Sequence, residues 1–236
     1  MQPIQIKNEK SHILYDAELP IHVDSTWFDA EAWRGRGQWL GEARGRGETA
    51  FVGDEGIAYV LRHYRRGGLP GRFVHDRYLW LGLARTRAWR EWHLTAELYQ
   101  RGLPVPRPVA AQVVRDGLFY RADLMTVRIP NAYSLAQAIA DAALSAEHWQ
   151  ALGACLRRFH QEGVDHADLN AHNSLLADGE IYLIDFDRGR LRLPGRWQQN
   201  NLARLLRSLR KLYNESLVNN FSEADWQSLL AGYQRA

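Results

Sequence analysis

The sequence predicts an α+β chain in two lobes, and three observations lead there. Short strands joined by tight turns fill the stretch from Trp39 to about Val127, helices dominate beyond Pro130, and one further hairpin stands among those helices. A strand-rich half followed by a helix-rich half suggests an N-terminal lobe over 1–129, a C-terminal lobe over 130–236 and a cleft between them.

In the first half, strands are expected at Thr49 to Val52 and Ile57 to Tyr64 around the turn Gly53-Asp54-Glu55-Gly56. A helix follows near Arg87 to Arg101, then strands near Val109 to Val114 and Leu118 to Val127 around Asp116-Gly117. In the second half, helices are expected at about Leu135 to Leu144, Ala146 to Gln161 and Asn201 to Asn214. The hairpin pairs Ser174 to Ala177 with Ile181 to Ile184 across the three-residue turn Asp178-Gly179-Glu180.

Composition narrows the class. A chain of 236 residues, 46% hydrophobic and 24% charged, can bury a sizeable core, which excludes a disordered chain or a disulfide-stapled miniprotein. The longest apolar run, Leu135 to Leu144, is broken by Gln137 and Asp141 and falls short of the roughly 20 residues of a spanning helix. The start, MQPIQIKNEK, lacks the features of a secretory signal, and the lone Cys155 has no internal disulfide partner, so a reducing cytoplasm is the expected compartment. Of 30 basic residues only Lys7, Lys10 and Lys211 are lysines, so a central cation must be arginine or histidine. Arginines cluster at 62–77, 85–90 and 188–210, a pattern that favours an anionic partner: nucleotide phosphate, nucleic acid or acidic lipid.

The chemistry concentrates around the second hairpin. The expected register sets Ala177 opposite Ile181 and therefore Asn173 opposite Asp185 at the open end, with α-carbons roughly 4.5–5.5 Å apart. Two oxygen-bearing side chains there could share a hard cation such as magnesium, and Asp168 would sit on the loop beside it. In the first half, Gly45-x-Gly47-x-x-Ala50-x-Val52 reads as a glycine-rich phosphate loop whose bare backbone lets amides approach phosphate oxygens. Period two puts Val60 and Arg62 on one face of their strand. At 100° per residue, Glu91 shares the inward helix face with Ala88, Leu94, Thr95 and Leu98, whereas Glu97 faces water, so Glu91 is paired with Arg62. The competing reading is a glutamate bonded locally to Arg87 or Arg90.

These residues carry a resemblance. His166-x-Asp168-Leu169-x-x-x-Asn173 is similar to the catalytic loop of the protein-kinase-like superfamily, and Asp185-Phe186-Asp187 stands in the place of its Asp-Phe-Gly element. The resemblance implies a bilobal kinase fold, an N-terminal antiparallel sheet with one main helix, and a small, mostly helical C-terminal lobe. It implies that Asp168 accepts or orients the acceptor's hydroxyl proton, that Asn173 and Asp185 hold magnesium, and that Gly45, Gly47, Arg62 and Glu91 serve ATP. Arg62 departs from the pattern by standing where such kinases carry a lysine, and Ala167 stands where many protein kinases carry an arginine that reads an activation-loop phosphate.

A narrower likeness runs from about Gly41 to Arg210. Arg62-His63-Tyr64-Arg65-Arg66-Gly67-Gly68, Asp76-Arg77-Tyr78, Gly102-Leu103-Pro104-Val105-Pro106-Arg107-Pro108, the run from His166 to Asn173, and Asn201-Leu202-Ala203-Arg204-Leu205 resemble the 3-deoxy-D-manno-octulosonic acid (Kdo) kinase family, related to the lipopolysaccharide core heptose kinases. That family implies ATP- and magnesium-dependent phosphorylation of the 4-hydroxyl of Kdo on a lipid A precursor. It places the protein peripherally on the cytoplasmic face of the inner membrane of a Gram-negative bacterium, with an anionic glycolipid and the membrane surface as partners and no nucleic acid. Arg188, Arg190, Arg192 and Arg196, directly after Asp185, would form a cationic acceptor side. Leu202, Leu205, Leu206, Leu209 and Leu212 read as a core stripe with Arg204, Arg207 and Lys211 opposite, membrane-surface binding being the alternative. His166 reads as a packing residue, and His172 as acceptor-side or structural. Two other functions stay open: an aminoglycoside- or choline-type phosphotransferase, and a pseudokinase binding module, which Arg62 motivates.

Overall fold

The computed structural model describes residues 1–43, 49–65, 76–215 and 220–235. They divide into two compact units, Met1–Gln100 with Pro106–Arg128, and Arg101–Val105 with the chain from Ile129 onward.

The first unit runs β1 (Pro3–Lys7), β2 (Ser11–Asp16), a 3-10 turn (Ser25–Phe28), α1 (Ala30–Gly35), β3 (Trp39–Glu42), β4 (Thr49–Asp54), β5 (Ile57–His63), β6 (Tyr78–Leu79), α2 (Arg87–Gln100), β7 (Pro108–Asp116) and β8 (Phe119–Val127). The strands form one antiparallel sheet in the order β1-β2-β7-β8-β5-β4-β3, with β6 also on β8. The β4–β5 strands extend further into the turn than the sequence suggests. Glu55 and Gly56 both take positive φ, 48° and 82°, so a two-residue turn suffices and its twist suits the flanking strands.

Side-chain alternation gives this sheet two covered faces. On one, Val52, Tyr59, Leu61 and Met125 pack under Trp27 and Trp33 from the 3-10 turn and α1. On the other, Tyr64, Ala111, Val113, Ala122 and Leu124 pack under Trp89, Trp92 and Ala96 of α2. The β1–β2 hairpin, which the alternation pattern did not reveal, is tied in by Asp16. Its wholly buried carboxylate accepts from the Gln2 and Glu18 amides at 2.9 and 3.2 Å and from Arg107 Nε at 3.1 Å. Burial pushes the Asp16 carboxyl up, but these donors outweigh it and hold the group below its ordinary range.

The second unit contains β9 (Tyr133–Ser134), α3 (Leu135–Asp141), α4 (Ala146–Gln161), β10 (Val164–Asp165), β11 (Ser174–Ala177), β12 (Glu180–Leu183), β13 (Arg190–Leu191), α5 (Arg196–Asn214) and α6 (Glu223–Arg235). Helix α3 stops at Asp141, before the new start at Ser145 that caps α4. Helix α5 begins five residues before the expected Asn201, because Gln198 Oε1 accepts the Gly195 N–H at 3.1 Å and the buried Trp197 donates its indole N–H to Leu193 O at 2.7 Å. Leu205, Leu209 and Leu212 are buried as the core-stripe reading requires.

Helices α4 and α6 meet closely at two glycines. A Cβ on Gly153 would lie 2.0 Å from Leu229 O, and one on Gly232 would lie 2.0 Å from Gln150 O, so backbone stands where side chains would go. Gly232→Ala should therefore force the helices apart and cost about 3 kcal/mol. Urea unfolding measures this as a lower midpoint at unchanged slope; a midpoint equal to the parent's would mean the crossing is not tight.

Candidate active site

Two clusters carry the functional side chains, one in each unit. In the first unit, strand alternation turns Arg62 and Tyr64 toward α2, where Glu91 is only 3% exposed. Arg62 Nη2 donates to Glu91 Oε2, and the Tyr64 hydroxyl donates to the same oxygen. The helical-wheel expectation for Glu91 is met, and Glu97 is exposed as expected. The Arg62 guanidinium also lies 4.6 Å from the centroid of the Tyr64 ring, and Arg87 lies 5.1 Å from it. Burial, reinforced by the Glu91 charge, keeps the Tyr64 hydroxyl protonated well beyond the ordinary tyrosine range, so it remains a donor.

The glycine-rich motif fares differently. Gly45 and Gly47 lie outside the described residues. Ala50, the third position of that motif, sits inside β4, within the strand expected over Thr49 to Val52, and Ala50 and Val52 pair with Leu61 and Tyr59 on the face opposite Arg62. The β4 residues that share the Arg62 face are Thr49, paired with Arg62, Phe51, paired with Val60, and Gly53, paired with Ala58.

In the second unit, the loop from His166 to Asn173 is fixed mostly through its backbone. His166 is 2% exposed. Its Nδ1 accepts the Asp168 N–H at 3.2 Å, so Nε2 carries the proton and donates to Ile184 O at 3.0 Å. Asp168 O in turn accepts from Asn170 Nδ2 at 2.9 Å and from Asn173 Nδ2 at 3.0 Å. Asn170 Oδ1 accepts the amides of His172 and Asn173 at 2.8 and 3.1 Å. The Asp168 backbone is thus held on both sides, while its carboxylate is exposed and makes no hydrogen bond among the described residues.

The hairpin register differs from expectation by one residue. Ala177 pairs with Glu180 and Ser174 with Leu183, which places Asn173 beside Ile184, whose N–H donates to Asn173 O at 3.0 Å. The cause is the turn: Asp178 and Gly179, at φ 49° and 82°, close it with two residues, so Glu180 belongs to the strand. Asp185 therefore lies one residue beyond the pair, with φ at 64°, and its Oδ1 accepts the Asp187 N–H at 3.4 Å. Asn173 commits its Nδ2 to Asp168 O, which leaves the amide oxygen Oδ1 as its remaining polar atom. An amide oxygen and a carboxylate are hard donors of the kind magnesium takes, and that ion uses few protein ligands. Among the described residues no group of three or more His, Cys, Asp or Glu is placed to hold a metal, so a tightly caged transition-metal site has no support there.

Helix α5 buttresses this loop through residues whose role the sequence reading missed. Asn201, 1% exposed, donates to His166 O at 3.0 Å and accepts the His166 N–H at 3.1 Å when its amide is oriented to satisfy both. Arg204, expected opposite the core stripe, instead donates to Ala167 O, and Ser208 Oγ accepts the Ala171 N–H at 3.2 Å. The available signal was a polar stripe at positions 201, 204 and 208, spaced to share one helix face. The cationic run after Asp185 is also partly committed: Arg190 and Arg192 share the buried Asp165 carboxylate at 3.4 and 3.1 Å. Arg188 and Arg196 are exposed with no ion pair among the described residues, and His172 is exposed.

Known proteins resemble this chain in sequence and in fold. The model of the lipopolysaccharide kinase (Kdo/WaaP) family matches residues 30–233. A 3-deoxy-D-manno-octulosonic acid kinase from Vibrio vulnificus (strain YJ016) is 41% identical over 226 residues, 95% of each chain. One from Xanthomonas axonopodis pv. citri (strain 306) is 48% identical over 202 residues, 85% of this chain and 80% of the relative. Among solved structures, WaaP in complex with acyl carrier protein superposes with a TM-score of 0.55 at 17% identity, covering 86% of this chain and 82% of that one, a likeness of fold.

Two buried histidines near the loop set a pH dependence. Burial lowers the pKa of His166, and burial together with Arg157 pushes His160, packed edge-on against Trp197 at 5.1 Å, down to about 4. Each folded-state pKa lies below the unfolded value of 6.5, so the unfolded chain takes up protons first as pH falls. The stabilisation from a neutral His160 is present above pH 6.5 and is lost between there and about pH 4, about 3 kcal/mol in all, and that from His166 is lost in the same direction as pH falls. His160→Gln should lose less stability than the parent between pH 7.5 and 4.5 in urea titrations, and parallel curves would contradict a neutral buried His160.

Proposed function

We propose, from the premise that this chain belongs to the lipopolysaccharide kinase (Kdo/WaaP) family, that it moves the γ-phosphoryl group of ATP onto the 4-hydroxyl of a Kdo residue of a lipid A precursor. Phosphoryl transfer to Kdo is the activity of its relatives; the 4-hydroxyl, the magnesium ion and the cytoplasmic face of the inner membrane are our reading. No helix among the described residues is long and apolar enough to cross a membrane, which accords with a peripheral position. The observation that carries the proposal is Asp168, whose backbone is pinned by His166, Asn170 and Asn173 while its carboxylate stays exposed and unbonded.

Each residue then has a defined task. Asp168 accepts or orients the proton leaving the acceptor hydroxyl as that oxygen bonds phosphorus. Asn173 Oδ1 and the Asp185 carboxylate would hold magnesium, whose charge would offset that of the transferring phosphates. Arg62, oriented by Glu91 and Tyr64, grips ATP phosphates from the first unit. The glycine loop around Gly45 and Gly47 supplies backbone amides to those phosphates. Arg188 and Arg196 are the uncommitted cations of the 188–196 run and offer contacts to the Kdo carboxylate and lipid phosphates. Their charge favours an anionic acceptor over a cationic aminoglycoside or choline.

Mass spectrometry of a reaction with ATP, magnesium and Kdo-bearing lipid A precursor tests the reading directly, through a phosphate gained on Kdo. Asp168→Asn should keep the fold and ATP binding but reduce kcat at least about 100-fold, the usual scale of general-base catalysis. Activity within threefold of the parent would remove Asp168 from the reaction.

Arg62 separates a working site from a pseudokinase. Arg62→Lys retains a charge but loses the planar fork that meets Glu91, so ATP KM should rise and kcat fall, by about tenfold together. Steady-state kinetics across ATP concentrations would show it, and equal parameters in parent, Arg62→Lys and Arg62→Ala would mean that Arg62 does not touch the nucleotide.

A further inference from the structure

The sheet of the first unit ends, at the β7–β8 turn, in an apolar patch that the catalytic reading does not use. Leu79 and Phe119 are paired across β6 and β8, and the Trp80 N–H donates to Leu118 O at 2.8 Å, which sets Leu118 beside Trp80 on the ladder face opposite Leu79 and Phe119, so the tip carries exposed apolar side chains on both faces, with Leu81 next along the chain. Leu79, Leu81, Leu118 and Phe119 are 53, 60, 71 and 38% exposed. Four large apolar side chains left in water at one turn are uncommon on a soluble surface. By contrast Leu193, 88% exposed, stands in sequence among Arg190, Arg192 and Arg196.

Cations surround the patch. The Arg115 guanidinium lies 5.0 Å from the Trp80 ring centroid, and its backbone N–H donates to Lys10 O at 2.8 Å. Arg77 pairs with Asp116 at 3.4 Å, and Lys7 sits opposite His12, whose ring stacks on Trp80 at 6.2 Å. Burial and the charges of Lys7 and Arg115 lower the pKa of His12, a sign of positive potential there. Lys7, Lys10, Arg77 and Arg115 outnumber the neighbouring Glu9 and Asp116, and two of the chain's three lysines lie here.

We propose that this tip, Leu79, Leu81, Leu118 and Phe119 with Lys7, Lys10, Arg77 and Arg115, docks on an anionic bilayer surface. The apolar side chains enter the boundary between headgroups and acyl chains, and the basic ring meets lipid phosphates. Charge complementarity selects the occupant, because a second copy of this chain would bring the same cations face to face. The Trp80 ring, amphipathic and half-buried beside Leu118, suits the headgroup level.

Sedimentation with vesicles tests this independently of catalysis. The parent should bind phosphatidylglycerol–phosphatidylethanolamine vesicles at low salt, and about tenfold more weakly on phosphatidylcholine vesicles or at high salt. Leu81→Ser with Leu118→Ser should weaken binding to the anionic vesicles about tenfold with an unchanged thermal midpoint, and Leu118→Phe should restore or strengthen it. Absence of parent binding, or a double variant within twofold of the parent, overturns the proposal, as would concentration-dependent dimerisation of the parent that the double variant abolishes. Both proteins should phosphorylate detergent-dispersed Kdo-lipid equally. Vesicle binding through the tip without phosphoryl transfer would sink the kinase reading and leave the docking surface standing.

Discussion

The second unit depends on one neutral imidazole. His166 accepts the Asp168 N–H on one nitrogen and donates to Ile184 O from the other, so a single ring sets the spacing between the loop that carries Asp168 and the strand end that delivers Asp185. The bridge works only while the ring is uncharged, since a protonated Nδ1 would face the Asp168 N–H donor to donor. Burial supplies that condition, and Phe186 packs against the ring with centroids 4.8 Å apart. Asn201 then satisfies the backbone N–H and C=O of His166 itself, so the residue that organises the loop is anchored from α5. An apolar residue at position 166 would leave the Asp168 N–H and Ile184 O without these partners, and such losses cost more than the hydrogen bonds gained on folding.

The first unit solves a related problem with charge. Glu91 is nearly buried, and a buried carboxylate is tolerable only when paired and hydrogen-bonded. Arg62 and Tyr64 share its Oε2, and the Tyr64 ring also lies beside the guanidiniums of Arg62 and Arg87. A lysine at 62 would be a compact point charge on a flexible stem and could not combine an in-plane donor to Glu91 with a broad face against Tyr64. The arginine thus fits an environment built to its shape.

What could be read from the sequence follows from which forces are local. The alternation of β5 and the wheel of α2 placed Arg62 and Glu91 on meeting faces before any tertiary information, because burial follows period two and period 3.6. The α4 bounds, Ala146 to Gln161, were legible for the same reason. The hairpin register was not, since three-residue and two-residue turns are both compatible with Asp178-Gly179-Glu180, and only the positive φ at Asp178 decides between them. Helix α6 and the β1–β2 hairpin escaped notice because their order comes from partners far along the chain, the α4 glycine crossing and the Arg107–Asp16 contact.

Arginine content shows the same limit for function. Counting 27 arginines suggested broad anion-binding surfaces, yet Arg62, Arg87, Arg107, Arg190, Arg192 and Arg204 are occupied with Glu91, Tyr78, Asp16, Asp165 and the Ala167 carbonyl. A guanidinium that anchors a loop or a buried carboxylate is worth more to the fold than a free surface charge, whose pairing contributes at most about 1 kcal/mol. Charge that faces outward among the described residues includes Arg188 and Arg196, close in sequence to Asp185, and the basic residues at the β7–β8 turn. Composition indicates that anions matter to this chain, but the division between arginines that build it and arginines that face outward is set by which carboxylates and carbonyls are buried within reach.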